Sequence, residues 1–149
     1  MCVASLAIHD DSWVIDKQEI ANYVIDFVRA NPGLREVVCD KTFWQDEMIQ
    51  WEQAGINIVE IPQNLSYFVP ATARLFEGIM TKQFRHDGDP ALARHIENCI
   101  LKMDSSGKSR LTKDFRNPRQ KIDLAVALMM AWHRASAKLE PEIIPQFYF

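Results

Sequence analysis

Residues 35–62 read REVVCDKTFWQDEMIQWEQAGINIVEIP, and this stretch decides the fold class. Its opening, REVVCD, is a short apolar run rich in β-branched residues that stops at Asp40, the pattern of a buried strand. Thr42 then offers a helix cap, Phe43, Trp44, Met48, Ile49 and Trp51 recur at helical spacing, and Gly55 supplies a stop. INIVEIP follows as a second strand. A strand, a helix and a strand in so short a span predict parallel pairing through a right-handed crossover, and with it an α/β fold.

Working outward, DKQEIANYVIDFVRANPG (16–33) places Ile20, Tyr23, Val24, Phe27 and Val28 on one helical face and ends at a Pro-Gly stop. On the other side, SYFVPATARLFEGIMTKQF (66–84) is again helical, with Pro70 tolerable only near the first turn. HDGDP (86–90) is a turn, followed by a short helix around 91–95. NCILKMDSSGKSRLT (98–112) reads as a hairpin closed by Ser105, Ser106 and Gly107. A final helix, PRQKIDLAVALMMAWHRA (118–135), has Asn117 as its expected cap and Pro118 at its first position. No repeat or linker interrupts the chain, so a single domain over 1–149 is expected, with an irregular tail at 138–149.

A chain that is 48% hydrophobic and 25% charged folds rather than staying disordered. Its longest apolar run, 124–132, falls well short of the roughly 18 residues that span a bilayer, and no signal-peptide pattern opens the chain. A cytoplasmic protein without a membrane segment is expected. Cys2, Cys39 and Cys99 lack zinc or dithiol spacing and read as reduced thiols. The net charge of −3 argues against a protein that coats DNA generally. Its distribution is uneven, however. Between 102 and 121 stand Lys102, Lys108, Arg110, Lys113, Arg116, Arg119 and Lys121, against only Asp104 and Asp114. That segment is either a solvated charged loop or a surface that meets a polyanion.

Two carboxylates carry the chemical argument. With Asn117 as cap, Asp123 falls near the second turn of an otherwise apolar helix, where capping does not explain it. A carboxylate against Val126, Ala127 and Met130 needs a cation or a paired base, Lys121 or Arg119 being the nearest. Asp40 ends an apolar strand, where open α/β sheets place their ligand sites. Two such acids brought together suit a hard divalent ion, Mg²⁺ or Mn²⁺, and two ions about 4 Å apart suit phosphodiester hydrolysis. His86, Asp87, Asp89 and His95 lack metal-ligand spacing and read as surface turn residues, whereas His133 reads as a partnered core or edge histidine. No nucleophile-elbow, dinucleotide or P-loop sequence occurs.

The order of pieces resembles the C-terminal nuclease domain of the tailed-phage terminase large subunit. The likeness rests on Gln63, Leu75 with Glu77, His86, the Gly88-Asp89-Pro90 turn, Asn98, Lys113, and Lys121-Ile122-Asp123 with Ala127, and runs roughly from 14 to 136. What this resemblance implies is a ribonuclease H-like three-layer fold, a mixed sheet with flanking helices, and acids holding two Mg²⁺ or Mn²⁺ ions that cut concatemeric double-stranded DNA during packaging. Asp40 and Asp123 are then the metal-holding, catalytic acids. Lys113, Lys108, Arg110, Arg116 and Lys121 lie along the DNA, and the small terminase subunit and the portal are the family's partners. The family's upstream motor and first nuclease strands are not recognisable, and Asp10 and Asp11 stand too close to the first helix to replace the acid those strands carry. A shortened chain, poor in metal and activity, is therefore expected, with a bare sheet edge that favours a homodimer. Two other functions stay open: a non-catalytic prophage remnant or interaction module, and a different ribonuclease H-like nuclease such as a junction resolvase.

Overall fold

A computed structural model describes residues 14–83, 85–105, 107–114, 116–117 and 120–137. Asp10, Asp11, Pro118, Arg119 and the tail expected at 138–149 lie outside the described residues. The chain groups into two compact units that divide between Tyr67 and Phe68.

The first unit contains α1 (Lys17–Ala30), β1 (Val37–Cys39), α2 (Lys41–Gln53) and β2 (Ile58–Glu60), with β1 and β2 parallel and Cys39 opposite Glu60. Asp16 starts α1 by accepting the N–H groups of Gln18 and Glu19. Ala21, Met48, Trp51 and Ile56 form its core, and the buried Trp51 indole donates to the Ala21 carbonyl at 3.1 Å. Removing that ring to Ala would cost about 3–5 kcal/mol. Phe43 and Ile49, apolar though they are, stay exposed.

The cap of α2 is Asp40 and not Thr42: Asp40 Oδ1 accepts the Thr42 N–H at 3.0 Å and the Thr42 hydroxyl at 2.9 Å. Thr42 was the expected cap, but its hydroxyl is already committed to the aspartate one turn-start earlier. The first turn is also irregular at Trp44, with φ −123° and ψ 18°. Lys17 bridges the gap, donating to the Phe43 carbonyl, lying 5.5 Å from the Trp44 ring centre and pairing with Glu47 at 3.5 Å. Glu47 is buried, and this partner offsets the cost of its charge.

The second unit holds most of α3 (Leu65–Met80), then α4 (Pro90–Glu97), β3 (Cys99–Met103), β4 (Ser109–Lys113) and α5 (Asp123–Ala137). Asn64 accepts the Tyr67 N–H and the Ser66 hydroxyl at the start of α3. Pro70 falls in the second turn, at an exposed position where a missing N–H leaves a carbonyl to water. Strands β3 and β4 form the expected antiparallel hairpin, turning through Asp104 and Gly107, whose φ of +79° suits glycine. The α/β class is as read from the sequence, and among the described residues its strands form two separate ladders, one parallel and one antiparallel.

Buried Thr72 joins α3 to β4 by donating to the Phe68 carbonyl and accepting the Leu111 N–H, which points away from β3. That hydroxyl occupies an edge position another strand would otherwise use. Helices α3 and α5 approach closely at Gly78, where a Cβ would meet Trp132 Cε2 at 2.6 Å, while the indole N–H donates to the Arg74 carbonyl at 2.9 Å.

The final helix differs from expectation. It starts at Asp123, with Gln120 to Ile122 non-helical, so Asn117 does not cap it. Asn117 instead closes a turn on Asp114. Asp123 is consequently in the first turn and exposed rather than set into an apolar face. An acid at that position also complements the positive end of the helix dipole. No helix among the described residues is long and apolar enough to cross a membrane.

Candidate functional site

Parallel pairing delivers both Asp40 and Gln63 to the carboxyl ends of the first unit's strands. Because Cys39 faces Glu60 and its carbonyl accepts the Ile61 N–H at 2.9 Å, the chain after β2 passes beside Asp40. Gln63 there donates its amide to Asp40 Oδ2 at 2.5 Å. With Oδ1 taken by Thr42, both oxygens of this half-buried carboxylate have donors. Their remaining lone pairs are hard oxygen donors of the kind Mg²⁺ and Mn²⁺ prefer. Next to it, burial raises the Cys39 thiol to about 11, helped by the charges of Asp40 and Glu47. Cys39 is a poor nucleophile as a result.

In the second unit Asp89 caps α4 by accepting the Ala91 N–H at 2.7 Å, Pro90 occupies the first helical position, and Gly88 takes φ +83° before them. His86 Nδ1 accepts the Gly88 N–H at 3.1 Å. The H-x-G-D-P series is thus a turn that launches a helix, and His86 is a surface turn residue as expected. His95 is not: it is 3% exposed. Three and four residues from Leu92 and Ala91, it lies on the apolar face of α4, and its Nδ1 accepts the Leu124 N–H at 3.0 Å. Asn98, which ends α4, donates its side-chain amide to the Lys121 carbonyl at 2.9 Å. These two bonds fall on either side of Asp123. His133, half-buried in α5, has its pKa lowered by burial and by Arg74 and Arg134.

The basic residues lie on and after the hairpin. Lys102 and Arg110 are directly opposed across the β3–β4 ladder, Lys108 stands in the turn, and Lys113 pairs with Cys99 at the other end. Like charges face to face disfavour a sheet, and an approaching polyanion relieves that repulsion. Arg116 is engaged locally: it contacts Asp114 at 3.1 Å and holds that carboxyl below its usual range. Lys121 is exposed.

Gln63 and Asn98 figured in the sequence only as letters of a resemblance, without a partner, and His95 was missed as a buried group. Its helical spacing from Ala91 and Leu92 was the available signal. Among the described residues, no three His, Cys, Asp or Glu side chains converge on a cation-sized site.

A profile of the family described as "Terminase large subunit, endonuclease domain" matches residues 5–139. Among solved structures, the HK97 bacteriophage large terminase is similar, with a TM-score of 0.67 and 20% identity over 80% of this chain and 25% of that one. That likeness is one of fold, the ribonuclease H-like α/β arrangement, and the chain spans about a quarter of the larger protein's length. No curated protein matches the sequence.

Proposed function

This chain belongs to the terminase large-subunit endonuclease family, matched over residues 5–139, and on that premise we propose that it cuts double-stranded DNA during phage genome packaging. Asp40 and Asp123 serve as its metal-holding acids. The observation that carries the reading is the family match, joined to carboxylates at the end of a parallel strand and at the first turn of α5.

The protein's own residues divide the work. Asp40 presents a carboxylate whose direction Thr42 and Gln63 restrict. Asp123 presents one from the first turn of α5, where an acidic side chain complements the positive end of the helix dipole. Lys102, Lys108, Arg110 and Lys113 draw the phosphate backbone to the hairpin, with Arg116 and Lys121 after it. Divalent Mg²⁺ or Mn²⁺, when bound, supplies activation of water and stabilisation of the leaving oxygen. Contacts with a small terminase subunit and a portal are part of the same proposal.

The test combines cleavage and binding. Linear and supercoiled DNA with Mn²⁺ should be nicked or cut only slowly, and Asp123→Ala or Asp40→Asn should abolish that residual cleavage. Asn retains the capping geometry of Asp40 while removing the anionic ligand, so lost activity is not lost folding. DNA affinity should fall steeply with salt, and Lys113→Ala should reduce the log–log slope by about one. A chain that binds DNA but never cuts would favour the non-catalytic module. Cutting that survives both acid substitutions would sink the site assignment.

A further inference from the structure

We propose that His95 and Asn98 are positioning residues for Asp123, holding the start of α5 so that its carboxylate is free to bind a divalent cation. The inference rests on the reading of Asp123 as a metal-holding acid.

The first four N–H groups of a helix lack intrahelical partners, and Ser, Thr, Asn or Asp at the preceding position normally serves one of them. The Val126 N–H bonds the Ile122 carbonyl at 3.0 Å, so Ile122 occupies that position in α5. Its side chain has no acceptor. The Leu124 N–H is served instead by the buried His95 imidazole, at 3.0 Å from a helix 29 residues away in sequence. Accepting at Nδ1 places the imidazole proton on Nε2. Two residues before the helix, Asn98 ties down the Lys121 carbonyl at 2.9 Å. The backbone is therefore fixed at 121 and at 124, and Asp123 is bracketed.

Asp40, by contrast, is its own helix's cap, and one of its oxygens is spent on Thr42. At α5 the capping duty has passed to another helix. Asp123 is exposed, at the first helical position. Residues beyond a metal's own ligands that fix ligand orientation commonly change affinity 10–100-fold when removed.

The experiment measures Mn²⁺ affinity of the full chain by electron paramagnetic resonance of the free ion, alongside far-ultraviolet circular dichroism. Asp123→Asn should weaken Mn²⁺ binding. His95→Leu, which fills the space but cannot accept, should weaken it roughly tenfold with the fold retained. His95→Asn places an oxygen where Nδ1 was and should restore affinity to within about twofold of the original. In the Asp123→Asn background, His95→Leu should cost no further affinity, whereas a general loosening of the protein would still lower it. If His95→Leu fails to fold, Asn98→Asp, which removes the donor to Lys121 at constant shape, carries the same expectations. Folded His95→Leu or Asn98→Asp proteins with unchanged Mn²⁺ affinity overturn the positioning proposal while leaving Asp123 a ligand. Mn²⁺ binding indifferent to Asp123→Asn overturns the reading of Asp123 itself, and the positioning role with it.

Discussion

Asp40 and Asp123 both stand at helix starts, and they are held in opposite ways. Asp40 is gripped by its carboxylate, through the Thr42 N–H, the Thr42 hydroxyl and the Gln63 amide. Asp123 is gripped by its backbone, through Asn98 at Lys121 and His95 at Leu124. In the first arrangement the carboxylate proposed for metal binding is also the cap of its own helix. In the second, α4 holds the helix start and the acid itself is left exposed. A substitution at either acid therefore carries a different meaning.

The largest effect should come from the packing that supports the Asp123 side. Gly78→Ala would drive a Cβ to within 2.6 Å of the Trp132 ring. Overpacking of this kind costs about 1–3 kcal/mol, against a gain of at most ~1 kcal/mol in helix propensity. Urea denaturation should show a net loss. An unchanged midpoint would mean that Trp132 moves aside and that the α3–α5 fit does not hold the region.

The acids themselves give the direct contrast. Asp40→Ala removes a cap and leaves Gln63 and Thr42 without their acceptor, a loss of about 1–2 kcal/mol. Asp123→Ala should stay within about 0.5 kcal/mol, since it removes only an exposed charge near a helix dipole. Thermal melts in metal-free buffer read both. Equal losses would break the distinction between carboxylate-held and backbone-held acids.

The thiols sharpen it further. Cys39 and Cys99 are each raised to about 11, Cys99 by burial alone and Cys39 by burial with Asp40 and Glu47. Iodoacetamide at pH 8 should alkylate both slowly, because little thiolate forms well below the pKa. Site-resolved mass spectrometry across pH should show Asp40→Asn speeding Cys39 and leaving Cys99 unchanged. A parallel change at both would mean that burial had been altered and not charge.

The smallest effect is at His133, whose pKa in the fold lies below its ordinary 6.5. Between that lowered value and 6.5 the unfolded chain binds more protons, so stability is lost as pH falls through this window and recovered above it. His133→Gln should flatten this part of the stability profile. Histidine ring resonances followed against pH would reveal the direction, and an upward shift would contradict it.

The candidate acids were legible because each interrupts a pattern: Asp40 ends a β-branched run, and Asp123 stands within an apolar one. The partners were not. Gln63 reaches Asp40 across 23 residues, Asn98 reaches Lys121 across 23, and His95 reaches Leu124 across 29. Local propensity has no access to such bonds. It also misassigned two helix starts, since Thr42 and Asn117 are good caps in isolation and lose to the geometry around them.

Taken by itself, the sequence determined the α/β class, the helix–strand order, the hairpin at 98–112 and the basic segment, all of which follow from periodicity and turn chemistry within a few residues. Only the tertiary structure decided where α2 and α5 begin, that His95 is buried, that Thr72 closes the β4 edge, and which groups grip each acid. The reason is physical. Periodicity records which face of an element is apolar, whereas the partner of a polar group depends on which distant backbone the fold brings within about 3 Å of it.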